Sequence, residues 1–245
     1  MLLFTIIVIS TFVVMHAIEI SSFGARVAGR IANRRALGTT LFQTICTTSR
    51  FLLIIFLPSL GYIVESGITA HDYLIMVVIT FIFTFLISIL VIIKLNSLQI
   101  FYQVVFHRYN FNSLPRAILG SFIKQKKDIE TTACDNFTFK KPIFKKTLVS
   151  LITYLFLTTG FFISFLLAVL FPENRLTLSQ FTAFFHGFGA VIFAFYLDPM
   201  LSRSIDTYSD DDTWLKNVYS ILLGRSISYF IIIIIILIII FLDIY

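Results

Sequence analysis

The sequence predicts an all-α, polytopic integral membrane protein with about six transmembrane helices. Of its 245 residues 58% are hydrophobic and only 13% are charged. Soluble domains carry about 25% charged residues, so lipid must solvate much of this surface. The mean hydropathy of +0.94 agrees. Isoleucine, leucine and phenylalanine dominate, with 10 Gly and 5 Pro, which favours continuous helices over the short alternating strands of a barrel.

A spanning helix needs about 20 mostly apolar residues. Six segments qualify: Leu2–Phe23, Leu37–Leu60, Tyr73–Leu95, Thr147–Phe171, Gln180–Met200 and Val218–Leu242. The first follows Met1 with no basic leader and runs into His16 and Glu19 instead of a small-residue cleavage site, so it reads as a retained span. The last contains FIIIIIILIIIF and is expected to face lipid over much of its length.

Cationic residues gather in alternate loops. Arg26, Arg30, Arg34 and Arg35 follow the first span, and Arg203 and Lys216 follow the fifth. The connection 96–146 carries Arg108, Arg116, Lys124, Lys126, Lys127, Lys140, Lys141, Lys145 and Lys146. This bias predicts that the basic loops are cytoplasmic and that both termini lie outside. An interfacial helix is expected at QIFYQVVFHRYNF, and the basic remainder suits contact with anionic membrane lipid.

Ionisable groups inside spans are costly and usually functional. His16, Glu19, Phe23, Arg26 and Arg30 follow one another at spacings that place all five on one helical face. In the second span Gln43, Thr47 and Arg50 share a face, and Arg50 is deep enough to need an anionic partner. Glu19 is the leading protein partner. A phosphate is the leading ligand, because guanidinium binds it through two parallel hydrogen bonds. A structural His16–Glu19 or Arg50–Glu19 pair is the alternative.

The third span carries the hydroxyl stripe Thr80, Thr84 and Ser88, which can satisfy its own backbone. On the fifth, Ala183, Gly187, Ala190, Ala194 and Asp198 form a small-residue stripe expected to admit another helix, bordered by His186. Asp198 is expected to cap a helix or to pair with Arg225 of the sixth span. Asp210, Asp211 and Asp212 read as a solvated loop. Cys46 and Cys134 are expected to be free thiols.

No phosphate-loop, HExxH or CxxC motif occurs, so no catalytic residue, metal, cofactor or nucleic-acid partner is assigned. The polar faces imply an anionic ligand that crosses the membrane or sits in its inner leaflet.

His16-Ala-Ile-Glu19, Ala25-Arg26-Val-Ala-Gly29-Arg30 and the polar second span ending Ser49-Arg50 together resemble the N-terminal signature of the Amj family, as does Leu197-Asp198-Pro199 in the fifth span. The close likeness runs over residues 1–60 and is carried further by hydropathy and short pieces. These proteins are lipid II flippases, alternates to MurJ. The resemblance implies a bacterial cytoplasmic-membrane protein that moves the undecaprenyl-pyrophosphate-linked peptidoglycan precursor between leaflets, with homo-oligomers possible. Arg26, Arg30, Arg34 and Arg50 would then meet the pyrophosphate, and His16 and Glu19 would neutralise or switch charge. Gln43, His186, Asp198 and Arg225 are secondary candidates. A flippase for another prenyl-linked anionic glycan, or a membrane enzyme or scaffold of envelope synthesis, stays open.

Overall fold

The computed structural model describes residues 1–123, 141–207 and 211–243. Lys124, Lys126, Lys127, Cys134, Lys140 and Asp210 lie outside these residues, as does the side chain of Asp211. The described residues hold helices and no strand. Among them, six segments are long and apolar enough to cross a membrane: Leu2–Ile31, Arg35–Glu65, Ala70–Ile93, Phe144–Leu170, Pro172–Thr207 and Asp212–Phe241, here spans 1 to 6.

Several spans are composites. Span 1 joins α1 (Leu2–Ser21) to α2 (Phe23–Ile31) through Ser22, which keeps right-handed helical angles. The helix thus carries the His16-to-Arg30 face beyond the apolar stretch. Span 2 joins α3 (Arg35–Ser49) to α4 (Leu53–Glu65) through a tight 3₁₀ turn at Arg50–Leu52. Span 3 is α5 (Ala70–Ile93), started by Thr69, whose side chain accepts from the Asp72 amide at 3.1 Å.

The connection after span 3 is partly ordered as α6 (Leu95–Tyr109) and α7 (Leu114–Ile123). Helix α6 covers the segment expected to be interfacial and packs on α2, where Leu98 and Tyr102 crowd Gly24. Span 4 is α8 (Phe144–Leu170), starting at the end of the basic connection. Span 5 joins α9 (Arg175–Ile192) to α10 (Asp198–Thr207) through a π turn at Phe193–Leu197. Span 6 is the body of α11 (Asp211–Phe241).

The π turn has a cause in the sequence. Pro199 has no N–H to give the Phe195 carbonyl, and its ring crowds that oxygen. The chain opens there, and the Asp198 amide bonds back to the Phe193 carbonyl, a five-residue step.

Between spans 1 and 2 the chain reverses through Asn33 at φ 52°, a left-handed position that asparagine tolerates. The reversal brings Gly29 and Gly38 backbone to backbone. A Cβ on Gly29 would lie 2.7 Å from the Gly38 Cα. This contact fixes how α3 leaves α2, and so where Gln43 and Arg50 stand.

Packed neighbours run in the order spans 5, 4, 6, 3, 1, 2. Among the described residues, no comparable packing closes this arc between spans 2 and 5. The core lies inside the arc, where Phe12 of span 1 meets Phe56, Phe81 and Phe162 of spans 2, 3 and 4 at 5.0–5.6 Å. The pairs with Phe81 and Phe162 are edge-on, a geometry that contributes about 0.5–1.5 kcal/mol each beyond area burial. His16 continues the stack with its ring 4.2 Å from Phe12.

Two expectations change on packing. The small-residue stripe of span 5 does not receive another helix, since Gly187 has open space at its Cβ position and Ala183 and Ala194 are exposed. Close contact with span 4 is made instead by Gly189 against Leu157 and by Gly160 against Phe185. The stripe fails as a packing face because span 5 is peripheral and uses the flank beside it. The hydroxyls of Thr80 and Thr84 bond their own helix at 2.8 Å, whereas Ser88 reaches Ser226 of span 6.

Candidate functional site

A cavity of about 390 Å³ opens mid-bundle. Its floor comes from spans 1, 4 and 6, through residues such as His16, Glu19, Tyr154 and Arg225. Its two walls are span 2, with Gln43, Thr47 and Arg50, and span 5, with His186, Ala190 and Ala194. These walls are the least buried spans. Only 6% of the span 5 window and 22% of the span 2 window is buried, against 33–50% for the others. The cavity therefore sits where the helix arc is incomplete. Both backbone irregularities flank it, the tight turn at Arg50 and the π turn at Phe193.

The floor carries a buried charged network. The Arg225 guanidinium is 2% exposed and donates through Nη2 to Glu19 Oε2 at 2.7 Å. The same nitrogen lies 2.7 Å from His16 Nδ1, and Nε donates to the Tyr229 hydroxyl at 2.7 Å. The guanidinium also stands 4.4 Å over the Tyr154 ring. Glu19 is further held by a 3.5 Å contact from the Ser49 hydroxyl. Breaking a buried pair of this kind by removing one partner costs about 3–5 kcal/mol, because the other charge is left uncompensated.

These partners differ from the expected ones. Glu19 keeps the expected contact with His16, at 3.5 Å from Nδ1, but its arginine is Arg225 and not Arg50: the long Arg225 side chain reaches it on the cavity floor, whereas Arg50 stands on the span 2 wall. Asp198 correspondingly binds Arg26 and not Arg225. Cys46 is a free thiol, its sulfur 3.3 Å from the Ser22 hydroxyl.

Arg26 and Arg30 of span 1, and Arg34 just after it, do not line the cavity. Arg26 is 1% exposed and donates to Asp198 Oδ1, with its guanidinium 4.1 Å over Phe42. Its Nε and Nη1 are buried without a hydrogen-bond partner. Gln43 donates to the other Asp198 oxygen at 3.3 Å. This cluster ties span 1 and the span 2 wall to the residue after the π turn. Arg30 donates to the Ile205 carbonyl in α10. Arg34 is bonded to Asn110 at 2.9 Å, at the basic end of the bundle.

Arg50 differs from the other arginines. It is exposed, lines the cavity, and makes no ion pair or hydrogen bond among the described residues. With Arg225 matched by Glu19 and Arg26 by Asp198, Arg50 is the unmatched fixed charge of the chamber. His186 faces it across the cavity from span 5, with Nδ1 3.2 Å from the Leu157 carbonyl.

The chamber between the two least buried spans thus carries one fixed positive charge that no carboxylate among the described residues matches. The sequence model of one family, described as Amj, Alternate to MurJ, matches residues 11–231. The chain belongs to the Amj family. The match extends well past the N-terminal residues that carry the resemblance and takes in Asp198 and Arg225. No curated protein and no solved structure matches this Amj chain.

Two members of the site escaped the sequence reading, Tyr154 and Tyr229. A signal for the second existed: Tyr229 is four residues after Arg225, on the same helix face. Tyr154 had none, because its neighbourhood reads as ordinary apolar span.

Proposed function

We propose that this Amj protein is a lipid II flippase, carrying the undecaprenyl-pyrophosphate-linked precursor from the cytoplasmic to the outer leaflet of the bacterial cytoplasmic membrane. The basic end, with Arg34 and Arg35, faces the cytoplasm, and both termini face outward. The observation that carries this reading is the unmatched Arg50 in a chamber between the two least buried spans.

Three physical requirements of the substrate are met. The pyrophosphate needs a cation away from bulk water, and Arg50 offers a guanidinium fork. The sugar–peptide head needs a polar path, and the wall supplies Gln43, Thr47 and Arg50. The prenyl tail must never leave lipid, and the gap between spans 2 and 5 lets it hang outside.

Three arginines then act in sequence. Arg34 meets the pyrophosphate first at the cytoplasmic rim. Arg26 holds Asp198 until an anion competes for its unpartnered N–H groups. Arg50 receives the anion at mid-depth. Glu19 and His16 keep Arg225 neutralised throughout.

The test is a lipid II accessibility assay in cells depleted of their other flippases. Arg50→Ala should abolish rescue with protein level retained. Full rescue by Arg50→Ala removes the chamber from transport. A liposome panel of prenyl-linked glycans separates lipid II from other anionic substrates.

A further inference from the structure

Two histidines line the cavity, and their hydrogen bonds put them in opposite states. The closest partner of His16 Nδ1 is Arg225 Nη2 at 2.7 Å, with the Tyr229 hydroxyl at 3.4 Å and Glu19 Oε2 at 3.5 Å. A guanidinium can only donate, so this Nδ1 is an acceptor and the ring proton sits on Nε2. That Nε2 is buried with no partner. A second proton on His16 would have to displace Arg225.

His186 is arranged the other way. Its Nδ1 lies 3.2 Å from the Leu157 carbonyl oxygen. A carbonyl can only accept, so Nδ1 carries the proton and donates. The neutral ring then offers Nε2 as a lone pair, and Nε2 makes no hydrogen bond among the described residues. A lone pair repels a phosphate oxygen. One added proton turns the same atom into a charged donor, without breaking the bond to Leu157.

We propose that His186 is a proton-requiring ligand of the diphosphate: one proton adds at Nε2 as the anion enters the chamber and leaves when the anion leaves. The proposal rests on the flippase reading and adds to it a stoichiometry. A diphosphate diester carries two negative charges, whereas Arg50 supplies one positive charge. The Arg225–Glu19 and Arg26–Asp198 pairs cancel internally. A protonated His186 supplies the second charge, so substrate and chamber balance.

The neighbours of His186 make the proton conditional. Span 1 presents Glu19 and His16, span 2 presents Arg50, and span 6 presents Arg225. Span 4 offers the Tyr154 hydroxyl, the Leu157 carbonyl and the Phe161 ring, the last 5.0 Å from the imidazole. Two guanidinium groups repel the incoming proton and one carboxylate attracts it. An anion in the chamber reverses that balance.

The experiment uses the full chain in nanodiscs and a short-chain prenyl-diphospho-N-acetylglucosamine. This diester's own phosphates do not titrate near neutrality, so any pH dependence belongs to the protein. Calorimetry in two buffers of different ionisation enthalpy counts the protons taken up. Wild-type affinity should rise as pH falls, by up to about tenfold per pH unit where one proton is linked to binding. His186→Gln should bind more weakly with a flat profile, and His186→Lys should bind tightly with a flat profile. A slope that persists in His186→Gln, or a wild-type profile that is flat, overturns the proposal. Absence of wild-type binding at every pH overturns the flippase reading itself, and the proposal with it.

Discussion

Arg225 donates to Glu19 at 2.7 Å across 206 positions of sequence, and this pair sets the charge of the chamber. It takes up both a cation and an anion that would otherwise face the cavity, so Arg50 is left as the net charge. The pair is also structural, since both groups are held among spans 1, 4 and 6.

Glu19→Gln should therefore destabilise the protein itself. Arg225 would be left buried with no carboxylate, a change of about 3–5 kcal/mol. Thermal unfolding of the purified protein in detergent should show a clear drop. Replacing both partners with apolar residues, Glu19→Leu with Arg225→Met, should recover most of the loss. A stable Glu19→Gln single variant would contradict the pair. Arg50→Ala, by contrast, should unfold like wild type, because nothing in the protein depends on its charge.

The helix reversal at Asn33 gives a second, purely steric prediction. Gly38→Val should prevent α3 from docking on α2, since a Cβ there would lie 2.8 Å from both the Ala25 carbonyl oxygen and the Gly29 Cα. Overpacking of this kind costs about 1–3 kcal/mol or more. Gly187→Ala is the contrasting case, with nothing within 4 Å of the added methyl. It should leave stability level or raise it by up to about 1 kcal/mol through helix propensity. Monodispersity and thermal unfolding of the two variants decide the matter.

These contrasts mark where sequence reading works. The all-helical membrane class followed from hydropathy, because a chain in lipid must satisfy its backbone locally. The face His16, Glu19, Phe23, Arg26, Arg30 followed from spacing, because α1 and α2 run on with helical angles through Ser22. Partner identity did not follow. Arg50, Arg225 and Arg26 all read as span arginines in need of a carboxylate, and only the side-chain geometry of the packed bundle shows that Arg225 is the one Glu19 meets. The stripe on span 5 misled for the same reason: small residues admit a neighbour, but Gly187 and Ala194 face the side where none is packed.

Pro199→Ala tests whether the π turn matters to transport. With an amide at position 199, the Phe195 carbonyl regains a donor and the turn at Phe193–Leu197 can close to α geometry. Taking the extra residue of the turn into α geometry, at about 100° per residue, rotates everything N-terminal to it by about that angle relative to α10. His186 and Ala190 would then swing away from the cavity. Transport should fall, and thermal stability should fall with it as far as the span 4 contacts of α9 or the Arg26–Asp198 pair are lost. Unchanged transport would show that the turn plays no part in it.

The gap between spans 2 and 5 should be required as an opening. Thr47 and Ala194 line the same cavity from its two walls. Thr47→Cys with Ala194→Cys, in a background with Cys46→Ser and Cys134→Ser, places one thiol on each wall. A short bis-maleimide should join spans 2 and 5 across the gap. If lipid passes there, the crosslink should block lipid II export, and each single-cysteine variant treated alike should still transport. Joining these walls removes the only side of the arc, among the described residues, where neighbouring spans are not packed together. Full transport by the crosslinked protein would mean that the substrate uses another route, and Arg50 would then face a chamber the substrate does not enter.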